Sequence, residues 1–359
     1  MADPNIEALQ EAIRRASGVR APLCIVGGRT KDFCGEKPAG DVLDVRSVEG
    51  IVDYQPTELV ITARAGTPLG ELETAMREAG QMLAFEPPRF GPGGTLGGAI
   101  AAGLSGPRRP YAGAARDFVL GADVIDGTGR ALSFGGRVMK NVAGFDVSRL
   151  MVGAMGTLGV ITAVSLKCLP LPREEATRVF ETSADEAIRK ANEWGGQPLP
   201  LSATCFCQGR LAVRLSGAPS AVASAVRRLG GEPLADASTF WESVRDHRHD
   251  FFAAAVGSRT ALWRLSVGST APHTDLGGEQ LIEWGGALRW LAAGPRTDAA
   301  AVRAWAASQG GHATLFRASD RSTEVQHPLS AAQAGLHKRL KAVFDPHGIL
   351  NPGRLVRAL

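Results

Sequence analysis

The feature that most limits what this chain can become is a pair of glycine-rich segments, Gly27-Gly28-Arg29-Thr30-Lys31 and Gly93-Gly94-Thr95-Leu96-Gly97-Gly98. The first follows directly on the apolar run Leu23-Cys24-Ile25-Val26, so a buried strand empties into a loop. Glycine permits dihedrals and close approaches that other residues resist, and several backbone N–H groups converging from such a loop bind a diphosphate well. Arg29, Thr30 and Lys31 add side-chain donors. Each loop alone is readable as a tight turn; two in one chain argue for a phosphorylated ligand. No Gly-x-Gly-x-x-Gly follows a strand and no Gly-Lys pair occurs, so both the Rossmann fingerprint and the Walker A loop are missing. A nicotinamide dehydrogenase and a nucleoside triphosphatase are therefore disfavoured.

The rest of the chain reads as mixed helix and strand. Strands are expected at 23–26, 42–45 and 59–65, then a helix that Thr67 caps, Pro68 opens and Gly80 ends. Residues 91–113 are broken by glycine and proline except for a short helix near 99–102. Residues 117–125 and 130–134 flank Asp126-Gly127-Thr128-Gly129, a hairpin signal, and 156–167 alternates into a strand. Pro170 and Pro172 mark a boundary. Beyond it come a strand at 178–181, a helix to Trp194 with Ser183 and Glu186 as a capping box, strands at 203–206, 211–215, 261–267, 287–292 and 313–317, and helices at 221–229 and 299–307. An amphipathic helix at 330–343 precedes a closing turn.

At 359 residues the chain exceeds one ordinary core, and 44% hydrophobic with 21% charged residues is a soluble globular composition. The net charge of +4, from 40 basic and 36 acidic residues without a long block of one sign, does not fit a nucleic-acid binder. Five cysteines without a Cys-x-x-Cys pair argue against a zinc or iron–sulfur site held by this chain, and no metal ligand set is expected. Residues 1–10 are polar and acidic, unlike a signal or transit peptide, and no apolar run reaches the ~18 residues that span a bilayer, so the cytoplasm is the expected compartment.

The two loops, then Ala99-Ile100-Ala101-Ala102-Gly103, then Lys140-Asn141-Val142-Ala143-Gly144-Phe145-Asp146, then Gly153-Ala154-Met155-Gly156-Thr157-Leu158-Gly159-Val160-Ile161-Thr162, occur in an order that resembles the FAD domain of vanillyl-alcohol-oxidase-type flavoproteins. The chain is similar in particular to the FAD-binding subunits of bacterial glycolate oxidases, and Asp345-Pro346 through Asn351-Pro352-Gly353 resembles their C-terminal turn. The resemblance implies an α+β fold, with a two-subdomain PCMH-type (vanillyl-alcohol-oxidase-like) FAD-binding domain over 1–172. It implies an α+β cap domain on the substrate side over 173–327, and a helix and turn over 328–359 that return to the FAD domain. It implies that Gly27 to Lys31 and Gly93 to Gly98, with Gly103, hold the FAD pyrophosphate region, that Gly159 and Ile161 lie by adenine or ribose, and that Asn351 returns near the flavin. Arg109, Tyr111 and Arg116 lie in the stretch that such proteins run past the isoalloxazine. There a cation can stabilise reduced flavin, although a solvated loop charge is an equal reading. The loop after the first strand has no histidine or cysteine where some relatives bond flavin covalently, so FAD is expected to be non-covalent.

Oxidising a 2-hydroxy acid needs a carboxylate clamp, a base and flavin N5 against the α-carbon. Asp246-His247-Arg248-His249-Asp250 offers His247 and His249 as bases, and Arg116 a cation; a polar helix or loop is the bland alternative. Relatives that do the chemistry carry a histidine-rich Gly-Asp-Gly-Asn-type segment, absent here, and usually an acid where Met155 stands. Those departures fit an accessory flavin subunit. By resemblance its partners are a larger catalytic flavoprotein subunit and an iron–sulfur subunit, the complex oxidising glycolate to glyoxylate and touching the inner membrane only through those partners. The alternatives are a self-sufficient flavin oxidoreductase on another small alcohol or acid, using His247 or His249, and a non-catalytic scaffold subunit.

Overall fold

The computed structural model describes residues 3–136, 146–294 and 296–357. The quoted segment 140–145 lies outside them. A helix not expected from the sequence comes first. Asp3 caps Pro4–Val19 by accepting from Asn5 N at 3.0 Å, and Arg20, at φ 54°, ends it. Leu9, Ile13 and Ala16, at spacings of four and three, form its buried stripe.

That stripe packs on the short strand Leu23–Val26, which runs parallel to Asp41–Asp44 with Leu23 opposite Asp41. On its other edge Leu350 forms a parallel bridge to Leu23, and Leu23 N donates to Ile349 O at 2.7 Å. Residues near 350 therefore complete the sheet that residues near 23 start. Beside it lies an antiparallel sheet in the order Ile51–Gln55, Val60–Arg64, Val160–Lys167, Val119–Ile125, Ala131–Gly135. Val160–Lys167 is buried along nearly its whole length, as a central strand should be. The Asp126 turn closes the hairpin, its Oδ1 accepting from Thr128 N at 2.8 Å and Arg130 N at 3.0 Å.

One cap differs from expectation. The helix is Leu69–Glu78 with Pro68 as its N-cap and no side-chain cap, because Thr67 is fully buried and its hydroxyl is taken by Gly50, accepting from Gly50 N at 2.9 Å. Gly80, at φ 69°, follows the helix end.

The chain divides into two compact units: Met1–Leu104 with Ala114–Leu171 and Pro328–Leu359, and Ser105–Gly113 with Pro172–His327. The sequence reading kept residues 105–113 in the first domain, but their contacts lie in the second unit. Arg108 Nη2 meets Glu175 Oε1 at 2.6 Å, and Trp284 Nε1 donates to Gly106 O at 3.1 Å. The second unit is an eight-stranded antiparallel sheet that also contains Gly278–Glu283, a strand not expected from sequence. Ala184–Gly195 and Pro219–Leu229 cover one part of it and Ala299–Ser308 another. Ser183 accepts from Glu186 N at 3.3 Å and so caps the first of these helices. Among the described residues no helix is long and apolar enough to cross a membrane.

Candidate functional site

Within the first unit an open cleft gathers residues from five separate stretches of sequence, Val45 alone making one of them. Gly27, Gly28, Arg29, Thr30 and Lys31 line it from the first glycine loop, and Thr95, Gly97 and Gly98 from the second. Met155, Gly156, Gly159 and Ile161 approach from a turn, and Asn351 and Arg354 from the C-terminal segment.

Each stretch is held by identifiable bonds. Thr95 is the N-cap of the helix Leu96–Ala102, its hydroxyl accepting from Gly98 N at 3.2 Å. A Cβ on Gly27 would lie 2.8 Å from that same oxygen, and one on Gly28 would lie 1.4 Å from Gly93 O. Sequence reasoning took the glycines as making room for a ligand, but at Gly28 the room is already used by the other loop. Gly93, Gly94 and Leu96 thus support the cleft without lining it: Gly94 O accepts from Leu69 N at 2.9 Å, and Leu96 is fully buried. Gly103 has a terminal role at φ 63°, its N–H donating to Ala99 O and Ile100 O. Met155 N donates to Ala101 O at 2.8 Å, fastening the turn to that helix. Asn351, at φ 41°, then joins two of the stretches. Its Oδ1 accepts from Ile25 N at 2.8 Å and its Nδ2 donates to Met155 O at 2.7 Å.

The chemistry of the lining is divided. Ile25, Val26, Val45, Ala101, Ala102 and Ile161 offer apolar surface, whereas Arg29, Lys31 and Arg354 against Asp32 leave an excess of positive charge. Among the described residues the amides of Gly27, Gly28, Arg29 and Thr30 donate to no protein acceptor. A flat apolar ring system carrying a diphosphate suits such a cleft. Thr95→Val should remove the cap bond, costing about 1 kcal/mol in thermal unfolding and weakening whatever the loop binds; an unchanged melting curve would refute the capping role.

The other candidates lie elsewhere. Arg116 is exposed on the short helix Ala115–Phe118 and does not line the cleft. Arg109 and Tyr111 are in the second unit, Arg109 with its guanidinium 4.4 Å from the Trp284 ring and Tyr111 exposed. His247 stacks on Phe252 at 3.9 Å with Trp290 edge-on at 4.5 Å, and burial, helped by Arg317 and Arg264, holds its imidazole well below the usual range. Its ring packs among Phe252, Trp290 and Phe316. His249 caps Asp250–Gly257, Nδ1 accepting from Phe251 N at 3.3 Å. Among the described residues no group of three or more histidine, cysteine or acidic side chains could hold a metal. The five cysteines are buried free thiols, Cys168 pushed up to about 12 and Cys207 to about 11 by desolvation.

Three contributors escaped sequence reasoning. Arg354 lines the cleft. Lys341 and Asp345 form a buried pair at 2.7 Å beneath the C-terminal turn, Lys341 Nζ also donating to Thr157 O and Leu350 O. A lysine four residues before the aspartate of the closing turn was the available signal.

Residues 4–135 match the family described as FAD binding domain, and 319–355 the family described as FAD linked oxidases, C-terminal domain. The chain is 48% identical over 353 residues, 98% of its own length and 98% of the relative's, to the "Glycolate oxidase subunit GlcE" of Escherichia coli (strain K12). It is 29% identical over 179 residues, 49% of this chain and 38% of the other, to the "Glycolate oxidase subunit GlcD" of Bacillus subtilis (strain 168). Among solved structures, 4-ethylphenol oxidase from Gulosibacter chungangensis shares the fold at a TM-score of 0.69 and 15% identity, over 98% of this chain and 87% of that one. Alkyldihydroxyacetonephosphate synthase does so at 0.64 and 15%, over 96% and 74%.

Proposed function

From the chain's membership of the GlcE family of glycolate oxidase subunits, to which it belongs by 48% identity over 98% of its length, we propose that it is the FAD-binding subunit of a glycolate oxidase. It is an FAD-dependent oxidoreductase component acting on 2-hydroxy acids, with glycolate and glyoxylate as the substrate and product pair. The observation that carries the reading is the cleft in which both glycine loops, three basic side chains and Asn351 converge.

The residues fit the cofactor. The backbone amides at Gly27 to Thr30, which among the described residues have no protein acceptor, would hold the pyrophosphate with Arg29 and Lys31, and Gly159 and Ile161 the adenosine end. Asn351 and Arg354 would close the cleft from the C-terminal side. FAD when bound would supply a two-electron redox centre; the chain's own part is to bind and orient it and to neutralise its phosphates. We take the first unit as the cofactor domain and the second as the cap. With His247 stacked among aromatics and His249 used as a cap, neither is placed to take the proton of a substrate hydroxyl. Hydride abstraction is therefore given to a larger catalytic flavoprotein subunit, and onward electron transfer to an iron–sulfur subunit, which would also supply any contact with a membrane.

The purified chain is expected to show a flavin absorption spectrum and to release stoichiometric FAD on heating. It should oxidise glycolate slowly or not at all alone, and at full rate once combined with its partner subunits. Full turnover by the isolated chain would overturn the accessory role in favour of a self-sufficient oxidoreductase. A colourless preparation that takes up no added FAD would leave a scaffold.

A further inference from the structure

The C-terminal segment contributes more than a wall to the cleft. Arg354 is buried, yet its guanidinium meets backbone carbonyls: Nη1 donates to Glu36 O, and Nη2 to Asp32 O at 3.2 Å and to Lys31 O at 3.4 Å. The contact is reciprocal. Glu36 N donates to Arg354 O at 2.9 Å, and Arg357 Nε pairs with Glu36 Oε1 at 3.0 Å. A Cβ on Gly35 would lie 2.7 Å from Arg354 O, so glycine there permits the approach.

We propose that Arg354 is the positioning residue of the first glycine loop: it draws the carbonyls of Lys31, Asp32 and Glu36 to the C-terminal side and fixes the loop for an anionic ligand. The physical argument has two parts. Carbonyl oxygens aimed into the cleft would repel a diphosphate, and those turned toward a guanidinium do not face it. The planar fork of arginine spreads its donors over a rigid group wide enough to reach carbonyls at Lys31, Asp32 and Glu36 together, whereas a lysine ammonium gathers its acceptors about one point on a flexible stem. Docking of the C-terminal turn and binding of the ligand are then thermodynamically linked, because both need the same loop conformation.

This inference rests on the assignment of the cleft to FAD. The test titrates FAD into apoprotein by quenching of flavin fluorescence, for wild type and for Arg354→Met, Arg354→Lys and Thr30→Val. Arg354→Met is expected to raise Kd by about tenfold or more. Arg354→Lys, which keeps the charge, should remain nearly as weak. Millimolar methylguanidinium should restore much of the affinity of Arg354→Met, and not of Thr30→Val. Wild-type affinity in Arg354→Met would overturn the proposal, and so would full affinity in Arg354→Lys, which would make the role one of charge alone. If Arg354→Met does not fold, the lysine variant decides between the same outcomes. FAD binding that none of the variants alters, Thr30→Val included, would count against the cleft assignment itself.

Discussion

A Gly28→Val chain should come off purification colourless and fail to take up FAD, its affinity lower by about a hundredfold or more, equivalent to ~3 kcal/mol. The magnitude follows from what blocks the side chain. The first added carbon would sit 1.4 Å from Gly93 O and 2.5 Å from Gly93 C, backbone atoms with no rotamer to escape into. One loop has to move, and both belong to the same cleft. Gly97→Val should act similarly but less severely, since its Cβ meets Ala65 Cβ at 2.7 Å and Ala65 O at 3.0 Å. Gly70→Ala is the matched control: it lies in a helix with nothing within 4 Å of the new atom, so cofactor content should be unchanged. Wild-type flavin content in Gly28→Val would remove the pyrophosphate assignment. A spectrum lost equally in Gly70→Ala would make the effect non-specific.

The second large effect concerns Lys341 and Asp345. The aspartate side chain is fully buried and the lysine nearly so, and the carboxylate also accepts from Ile349 N at 3.1 Å and Leu350 N at 2.7 Å. Burial pulls the Lys341 ammonium below its ordinary range, opposed by the hydrogen bond and charge of Asp345. Removing one partner leaves the other buried and uncompensated, which costs about 3–5 kcal/mol. Asp345→Ala should therefore lower the thermal midpoint by roughly 10 °C and loosen the turn that carries Asn351. Lys341→Met should cost a comparable amount, because each partner left behind keeps two backbone contacts and loses its counter-charge. The double variant should cost less than the sum of the singles, a coupling that calorimetry on all four proteins would read. Midpoints unchanged in both single variants would show that the pair carries no stability.

What was legible in the sequence was local. The strand at Leu23–Val26, the loop after it, the hairpin about Asp126 and the helix that became Ala331–Phe344 follow from patterns spanning a few residues. The convergence of the two glycine loops was foreseen only through resemblance, since nothing near Gly28 announces that Gly93 will touch it. Arg354 was not legible because its acceptors lie 318 to 323 positions away, and Lys341 because Thr157 lies 184 away. His247 and His249 show the opposite case. Two histidines so close together look like acid–base chemistry in a string of letters, whereas in the fold one is a ring in an aromatic stack and the other caps the start of a helix. Gly278–Glu283 was missed because glycine and charge dilute its apolar half, and only its place between two other strands identifies it.

The pairing of Leu350 with Leu23 has a consequence for synthesis. A ribosome working at roughly 5–20 residues per second releases the first strand early and the residues near 350 that flank it only after the second unit. The nascent chain must carry an unfinished sheet edge and an incomplete cofactor cleft through translation of the whole second unit. Flavin uptake should therefore require translation past residue 345: a shorter polypeptide has every glycine of both loops and still lacks Asn351 and Arg354, which line the cleft.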